Sequence, residues 1–233
     1  MEKHFTKIVV ISDTHNIHHK INIPECDILI HCGDYSFRGR NWEIEGFYSW
    51  LNEQPAKHKV SIQGNHELGW EKDPKFCEKL AKENCPDVIL LDNKMVTVEG
   101  INIHGTPYTP YFHNWAYNTG RSIAEAGYYN KPFSKDVHKK ISKKADIVVC
   151  HGPPLGTLDQ LVFADGTPKG EFVGCGHLKD RIKIVKPKLV LFGHIHCGYG
   201  EEHKDEVSYY NASICGETYA ADNEPVIINY EKE

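Results

Sequence analysis

Five short, β-branched runs in this chain stop at the same kind of residue, and that repetition limits the fold more than any other feature. "VVISDTH" ends on Asp13 and His15, "ILIHCGD" on Asp34, and "VSIQGNHE" on Asn65 and His66. "IVVCHGPP" delivers His151, and "LVLFGHIHCGYG" delivers His194 and His196. Apolar runs this short read as buried strands. Strand ends gather along one edge of a sheet, where α/β folds place their ligands. Glycines in the same turns let the backbone bend and the side chains converge.

The rest of the chain fits that frame. Further strand-like runs are Val88–Leu91, Ile101–Ile103 and Val226–Ile228. "MVTVEGINIHG" predicts a hairpin turning near Glu99-Gly100, so the sheets should be mixed. Helices are predicted over Asn41–Gln54, with Phe47, Trp50 and Leu51 on one face, and over Asp73–Asn84, which opens with an Asp cap and a proline. Two more are predicted over Ser134–Ala145 and over Gly176–Val185, which stops before Pro187. The 233 residues suit an α/β chain forming one domain over residues 1–233, with no repeat or linker to divide it.

Charge and cysteines narrow the function classes. A formal net charge of -5 and no basic stripe argue against stable nucleic-acid binding. Eight cysteines include no C-x-x-C pair, which speaks against a structural zinc knuckle. Reduced thiols packed as small apolar fillers, together with no signal-like leader, predict a cytoplasmic protein. No segment reaches the length of a membrane span, so no membrane partner is expected.

Taken singly, each polar strand end has a bland reading. Asp13 could cap a turn, Asn65 could accept a left-handed backbone, and His151, His194 and His196 could be hydrogen-bonded core histidines. Together, two Asp, one Asn and four His form a mixed oxygen and nitrogen donor set. Seven donors exceed one tetrahedral ion but suit two ions sharing a carboxylate. Asp34, alone after its strand, is the natural bridge, because a carboxylate offers two oxygens. Such a set accommodates Mn, Fe, Zn, Co or Ni as divalent transition-metal ions, manganese being favoured.

The order D-x-H, G-D, G-N-H-E, H-G-P-P, G-H-x-H resembles the blocks of the calcineurin-like metallophosphoesterases. "GTPYTPYFHNWAYN", "HGPPLGTLD", "VGCGHL", "PKLVLFGHIHCGYG" and "YYNAS" are similar to signatures of the small metallophosphoesterase-domain branch. The resemblance implies a sandwich of two mixed β-sheets flanked by helices. It also implies that Asp13, His15 and His196 hold one metal, that Asn65, His151 and His194 hold the other, and that Asp34 bridges them. His66, beside Asn65, would face the substrate and protonate the leaving oxygen or steady the phosphoryl charge, a task suited to histidine's ordinary pKa. The implied activity is hydrolysis of a small phosphodiester, cyclic nucleotides included, by an activated water. The alternatives are a nuclease or phosphomonoesterase of the same fold, or a metal- or nucleotide-binding regulatory module with little turnover.

One departure matters. Many relatives read G-D-x-x-D-R-G, where the second Asp orients the catalytic histidine; here "GDYSFRG" places Phe37 there. Other expectations are local. His18 and His19 should be solvated, His31 should pack in its strand, and the lysines of "KDVHKKISKKA" should form a solvated face. His104 could border the site or pack, and His177 could touch substrate. Residues Tyr108–Tyr117, with Phe112 and Trp115, could wall a pocket or pack over the sheet edge. Asn211 could support a metal ligand from behind.

Overall fold

The apolar runs assemble into two sheets that face each other. The computed structural model describes residues 5–163 and 166–232. One sheet has the strand order Val226–Glu231, Phe5–Ile11, Cys26–His31, Ala56–Ser61, Ile89–Leu90. Its Val226–Glu231 pairing is antiparallel and the others are parallel. The other sheet runs Gly200–Lys204, Val207–Asn211, Leu189–Phe192, Ile147–Cys150, Ile101–Thr106, Lys94–Val98, with parallel pairs inside and antiparallel pairs at both edges.

Parallel strands need cover on both faces, which is why their sequences are continuously apolar rather than alternating. In Phe5–Ile11, Ile8 and Val10 face the second sheet, in one cluster with Ile103, Val149 and Leu191. Val9 and Ile11 face outward, under Phe47 and Leu51 of helix Asn41–Glu53 and Leu80 of helix Pro74–Asn84. On the far side, Val148 and Phe192 lie beneath Leu178 and Ile182 of helix Gly176–Val185. Cutting a fully buried residue of the central layer, such as Ile30, to alanine costs about 2–5 kcal/mol. The strand order therefore rests on side chains packed from three layers, and it aligns the carboxyl ends that carry the polar residues.

Local signals are obeyed where they are strong. The hairpin pairs Val98 with Ile101, and Glu99 (φ 49°) and Gly100 (φ 72°) both take the left-handed backbone of a two-residue turn. Asp73 accepts from the Phe76 N–H at 3.1 Å ahead of Pro74, capping its helix as expected. Two expectations need correction. The helix predicted over Ser134–Ala145 ends at His138. Tighter turns follow, Ile141 N–H bonding to His138 O, and the Ser142 hydroxyl accepts from the Lys144 N–H at 3.1 Å, offering the backbone an alternative to the helix. His18 is buried against Phe47 and Trp50 rather than solvated, and burial lowers its pKa to about 4, whereas His19 is exposed. The lysines of "KDVHKKISKKA" are solvated, while Val137, His138 and Ile141 point inward.

Candidate metal centre

All eight polar strand-end residues meet at one place between the two sheets' carboxyl edges. Asp13, His15, Asp34, Asn65 and His66 follow strands of the first sheet, and His151, His194 and His196 follow strands of the second. The approach is tight enough to dictate the turns. A Cβ on Gly64 would overlap Asp34 Oδ1, and one on Gly193 would overlap Asp13 Oδ2. Asp13 (φ 52°), Asp34 (φ 57°) and His194 (φ 69°) themselves sit in the left-handed region. Asp and His tolerate it better than most residues, yet strain of this kind costs on the order of 1–3 kcal/mol each. The surrounding hydrogen bonds must hold it in place.

The first cluster joins Asp13, His15 and His196, with ligand atoms all within 4.8 Å of one another. His15 Nε2 and His196 Nε2 face each other at 3.3 Å. Each ring's Nδ1 lies against a backbone carbonyl, Ser36 O at 3.1 Å for His15 and Gly216 O at 3.0 Å for His196. A carbonyl only accepts, so each neutral ring keeps its proton on Nδ1 and turns a lone pair inward. Asp13 Oδ2 accepts from Ser213 Oγ at 2.9 Å and His194 N–H at 2.8 Å, whereas its buried Oδ1 has no hydrogen-bond donor. That orphaned oxygen lies 3.6 Å from His196 Nε2. Facing lone pairs beside an unanswered carboxylate oxygen are disfavoured unless a cation neutralises them, so the residues fit a divalent ion. Burial pushes the Asp13 carboxyl up, but the His196, His151 and His15 rings outweigh it and hold it well below the usual carboxylate range.

The second cluster joins Asp34, His151 and His194 within the same limit. His151 Nε2 is 2.9 Å from Asn65 Oδ1 and 3.2 Å from Asp34 Oδ2, and its Nδ1 rests on Cys32 O at 2.9 Å. Asp34 also falls within 4.8 Å of His15 and His66, so its carboxylate lies between the two clusters. Burial opposes charge here too, yet the carboxylates win at His151, whose pKa is raised to about 9. His15 and His194 respond the other way, burial taking them to about 4 and about 3. Against its burial, the His196 ring is likewise pulled upward by Asp13, so the two carboxylates give the site a negative field that cations answer.

A residue without a role in the sequence reading holds this floor. Glu67 is fully buried and takes four donors: Asp34 N–H at 2.9 Å, Gly64 N–H at 2.6 Å, Ser36 N–H at 3.1 Å and Ser36 Oγ at 2.8 Å. Burial and the Asp34 carboxylate push its pKa up to about 8. Its place in "GNHE" was the signal that could have found it. Asn211 supports the site from behind, donating to Ile195 O at 2.8 Å and accepting from Ser213 N–H at 3.0 Å. It thereby fixes both the loop between the two histidines and the serine that holds Asp13.

Above the floor lies a cleft of about 390 Å³. Asp34, Asn65, His66, His194 and His196 form its base; Phe112, His113, Trp115, Leu161, Ile195, Glu217 and Tyr219 form its sides. The segment Tyr108–Tyr117 divides, since Phe112 and Trp115 line the cleft while Tyr108 and Tyr117 pack into the core. Among the described residues, no lysine or arginine lines it. His177 contacts Phe133 and does not line the cleft; His104 is buried in its strand. His31 packs against Phe47 and bonds the Gly33 N–H at 3.1 Å. No helix of the described residues is long and apolar enough to cross a membrane.

A family model described as calcineurin-like phosphoesterase matches residues 6–198. The chain is similar to Metallophosphoesterase domain-containing protein 1 of Homo sapiens, at 35% identity over 97% of this chain and 71% of that one. Its fold is similar to TT1561 of Thermus thermophilus, with TM-score 0.59, 11% identity and coverage of 97% of this chain and 99% of that one. It is also similar to the phosphopantetheinyl hydrolase of Mycobacterium tuberculosis, with TM-score 0.56, 17% identity and coverage of 91% and 90%.

Proposed function

Since the chain belongs to the calcineurin-like phosphoesterase family, a family of metal-dependent phosphoester hydrolases, we propose that it is a phosphodiesterase acting on small diesters, cyclic nucleotides among them. In this reading Asp13, His15 and His196 hold one divalent cation, Asn65, His151 and His194 hold a second, and Asp34 is shared. The observation that carries it is the arrangement of unanswered acceptors: the donorless Asp13 Oδ1 and the two inward Nε2 atoms at 3.3 Å. Such cations, when bound, activate water as the nucleophile and neutralise charge on the phosphoryl oxygens. Manganese is the first ion to supply, and a cytoplasmic setting suits eight free thiols.

The chain's own residues do the rest. His66 Nδ1 donates to Phe37 O at 3.0 Å, which leaves Nε2 facing the cleft, 3.9 Å from Asp34 Oδ2. A proton carried on Nε2 passes to the leaving oxygen as its bond to phosphorus breaks and the electron pair moves onto that oxygen. Asn65 lies beside it and shares contact with the substrate. The preference for diesters follows from charge. A diester brings one negative charge, whereas a monoester brings close to two. Among the described residues the cleft has no lysine or arginine, and it carries Glu217 at its side. Its aromatic walls favour a substrate with a flat or apolar substituent.

The test is to strip the protein of metal, reload it separately with manganese, iron, zinc, cobalt and nickel, and assay mono-, di- and cyclic phosphoesters. Two ions per chain and faster turnover of diesters than monoesters are expected. Turnover of monoesters alone would replace the diesterase reading, and inertness of a two-metal protein across the panel would favour a regulatory module.

A further inference from the structure

The residue that orients His66 is not the one its relatives lead one to expect. Phe37 stands where many of them have an aspartate, and its side chain cannot accept a hydrogen bond. Its ring instead stacks on His15 at 5.3 Å between centroids. The contact to His66 Nδ1 comes from the Phe37 carbonyl, at 3.0 Å. A backbone carbonyl can fix a ring only if its own peptide is fixed. That peptide belongs to a strap, residues 36–40, in which the N–H groups of Phe37 and Arg40 both go to one carboxylate. Glu43 Oε1 accepts from Phe37 N–H at 2.9 Å and from Asn16 Nδ2 at 2.8 Å, and Oε2 accepts from Arg40 N–H at 2.8 Å.

We propose that Glu43 is the positioning residue of His66, acting through the strap: by holding the Phe37 and Arg40 N–H groups on either side, its carboxylate fixes the Phe37 carbonyl that holds Nδ1. The inference rests on the reading of His66 as the proton donor. It places an acid at one remove from the histidine, with a backbone carbonyl between them. Glu43 is 2% exposed, and each of these partners is an N–H donor rather than a cation. Helix capping accounts for only part of this, because a capping box needs the Arg40 bond but not those to Phe37 and Asn16. The other face of the ring is closed by Trp115, stacked at 4.2 Å and 25°, with the Arg38 guanidinium 4.7 Å above the indole. One strap thus supplies both the carbonyl at the edge of the ring and the cation over its stacking partner.

The experiment uses Glu43→Ala, the milder Glu43→Gln, His66→Ala and the Glu43→Ala/His66→Ala double variant, each loaded with metal and assayed on aryl phosphodiesters of graded leaving-group acidity. Glu43→Ala should lower kcat about 10- to 100-fold on the poorest leaving group, with little change on the best and two metals retained. Glu43→Gln keeps an acceptor for Phe37 and should lose less. In the His66→Ala background the Glu43 substitution should cost nothing further. Imidazole 15N spectra of the zinc-loaded protein, taken at a pH where the ring is neutral, give a readout free of activity: neutral His66 should be the Nδ1–H tautomer in the wild type and mixed in Glu43→Ala. Equal losses in both backgrounds, loss of metal from Glu43→Ala, or an unchanged tautomer would overturn the proposal. A flat leaving-group response of His66→Ala would instead remove the proton-donor reading, and the tautomer alone would then decide the role of Glu43.

Discussion

The floor and the wall of the cleft are built on opposite principles. On the floor, Asp13 and His151 are fully buried and Asp34 is 2% exposed, and each is fixed by named donors and acceptors. On the wall, Phe112 is 58% exposed and Tyr219 is 42% exposed. Tyr219 leans on the His15 and His196 rings at 4.8 and 5.2 Å between centroids, but its place is set by a turn rather than a sheet. The contrast separates two tasks. Chemistry at two cations demands geometry held to fractions of an ångström, which buried strand ends provide. Selection of a substituent tolerates adjustable side chains on loops.

If that division is right, substitutions should fall into graded classes. Asp34→Asn strikes the carboxylate that lies between the two clusters and should have the largest effect, removing both metals and lowering turnover by about 10³-fold or more; metal analysis and steady-state rates check it. Retention of one full equivalent would mean two independent sites. His66→Ala should keep both metals and lose about 10²–10⁴-fold on poor leaving groups, with a much smaller loss on good ones. Asn211→Ala leaves every proposed ligand in place but frees the Ile195 loop and Ser213, and should weaken metal affinity about 10- to 100-fold in a chelator titration. Phe112→Ala tests the wall. It should raise KM for aryl diesters about 2- to 10-fold without changing metal content or kcat. A change in metal affinity from Phe112→Ala would blur the distinction between the two regions.

The same division explains what could be read from the sequence. The strands were legible because β-branched runs covered on both faces leave a strong local signal. The polar strand ends were legible because each interrupts such a run, and their eight side chains do converge, whatever each one binds. The wall was less legible. Tyr219, Leu161 and Glu217 sit in segments with no period, and the Tyr108–Tyr117 segment could not be divided between cleft and core without knowing which way each ring turns. His18 was misjudged because histidine-rich "NIHHK" looks polar, although Phe47 and Trp50 of a distant helix cover it. The group behind His66 was hidden for another reason. Its contact is a backbone carbonyl, which no residue type announces, and the carboxylate that fixes that carbonyl belongs to helix Asn41–Glu53, a separate element from the His66 turn.

The pairing of two cations around Asp34 is tested most directly by anomalous diffraction from crystals of the manganese-loaded protein. Two peaks are expected about 3.5–4 Å apart, one among Asp13, His15 and His196, the other among Asn65, His151 and His194, with Asp34 contacting both. A single peak, or two peaks not joined by the Asp34 carboxylate, would contradict it.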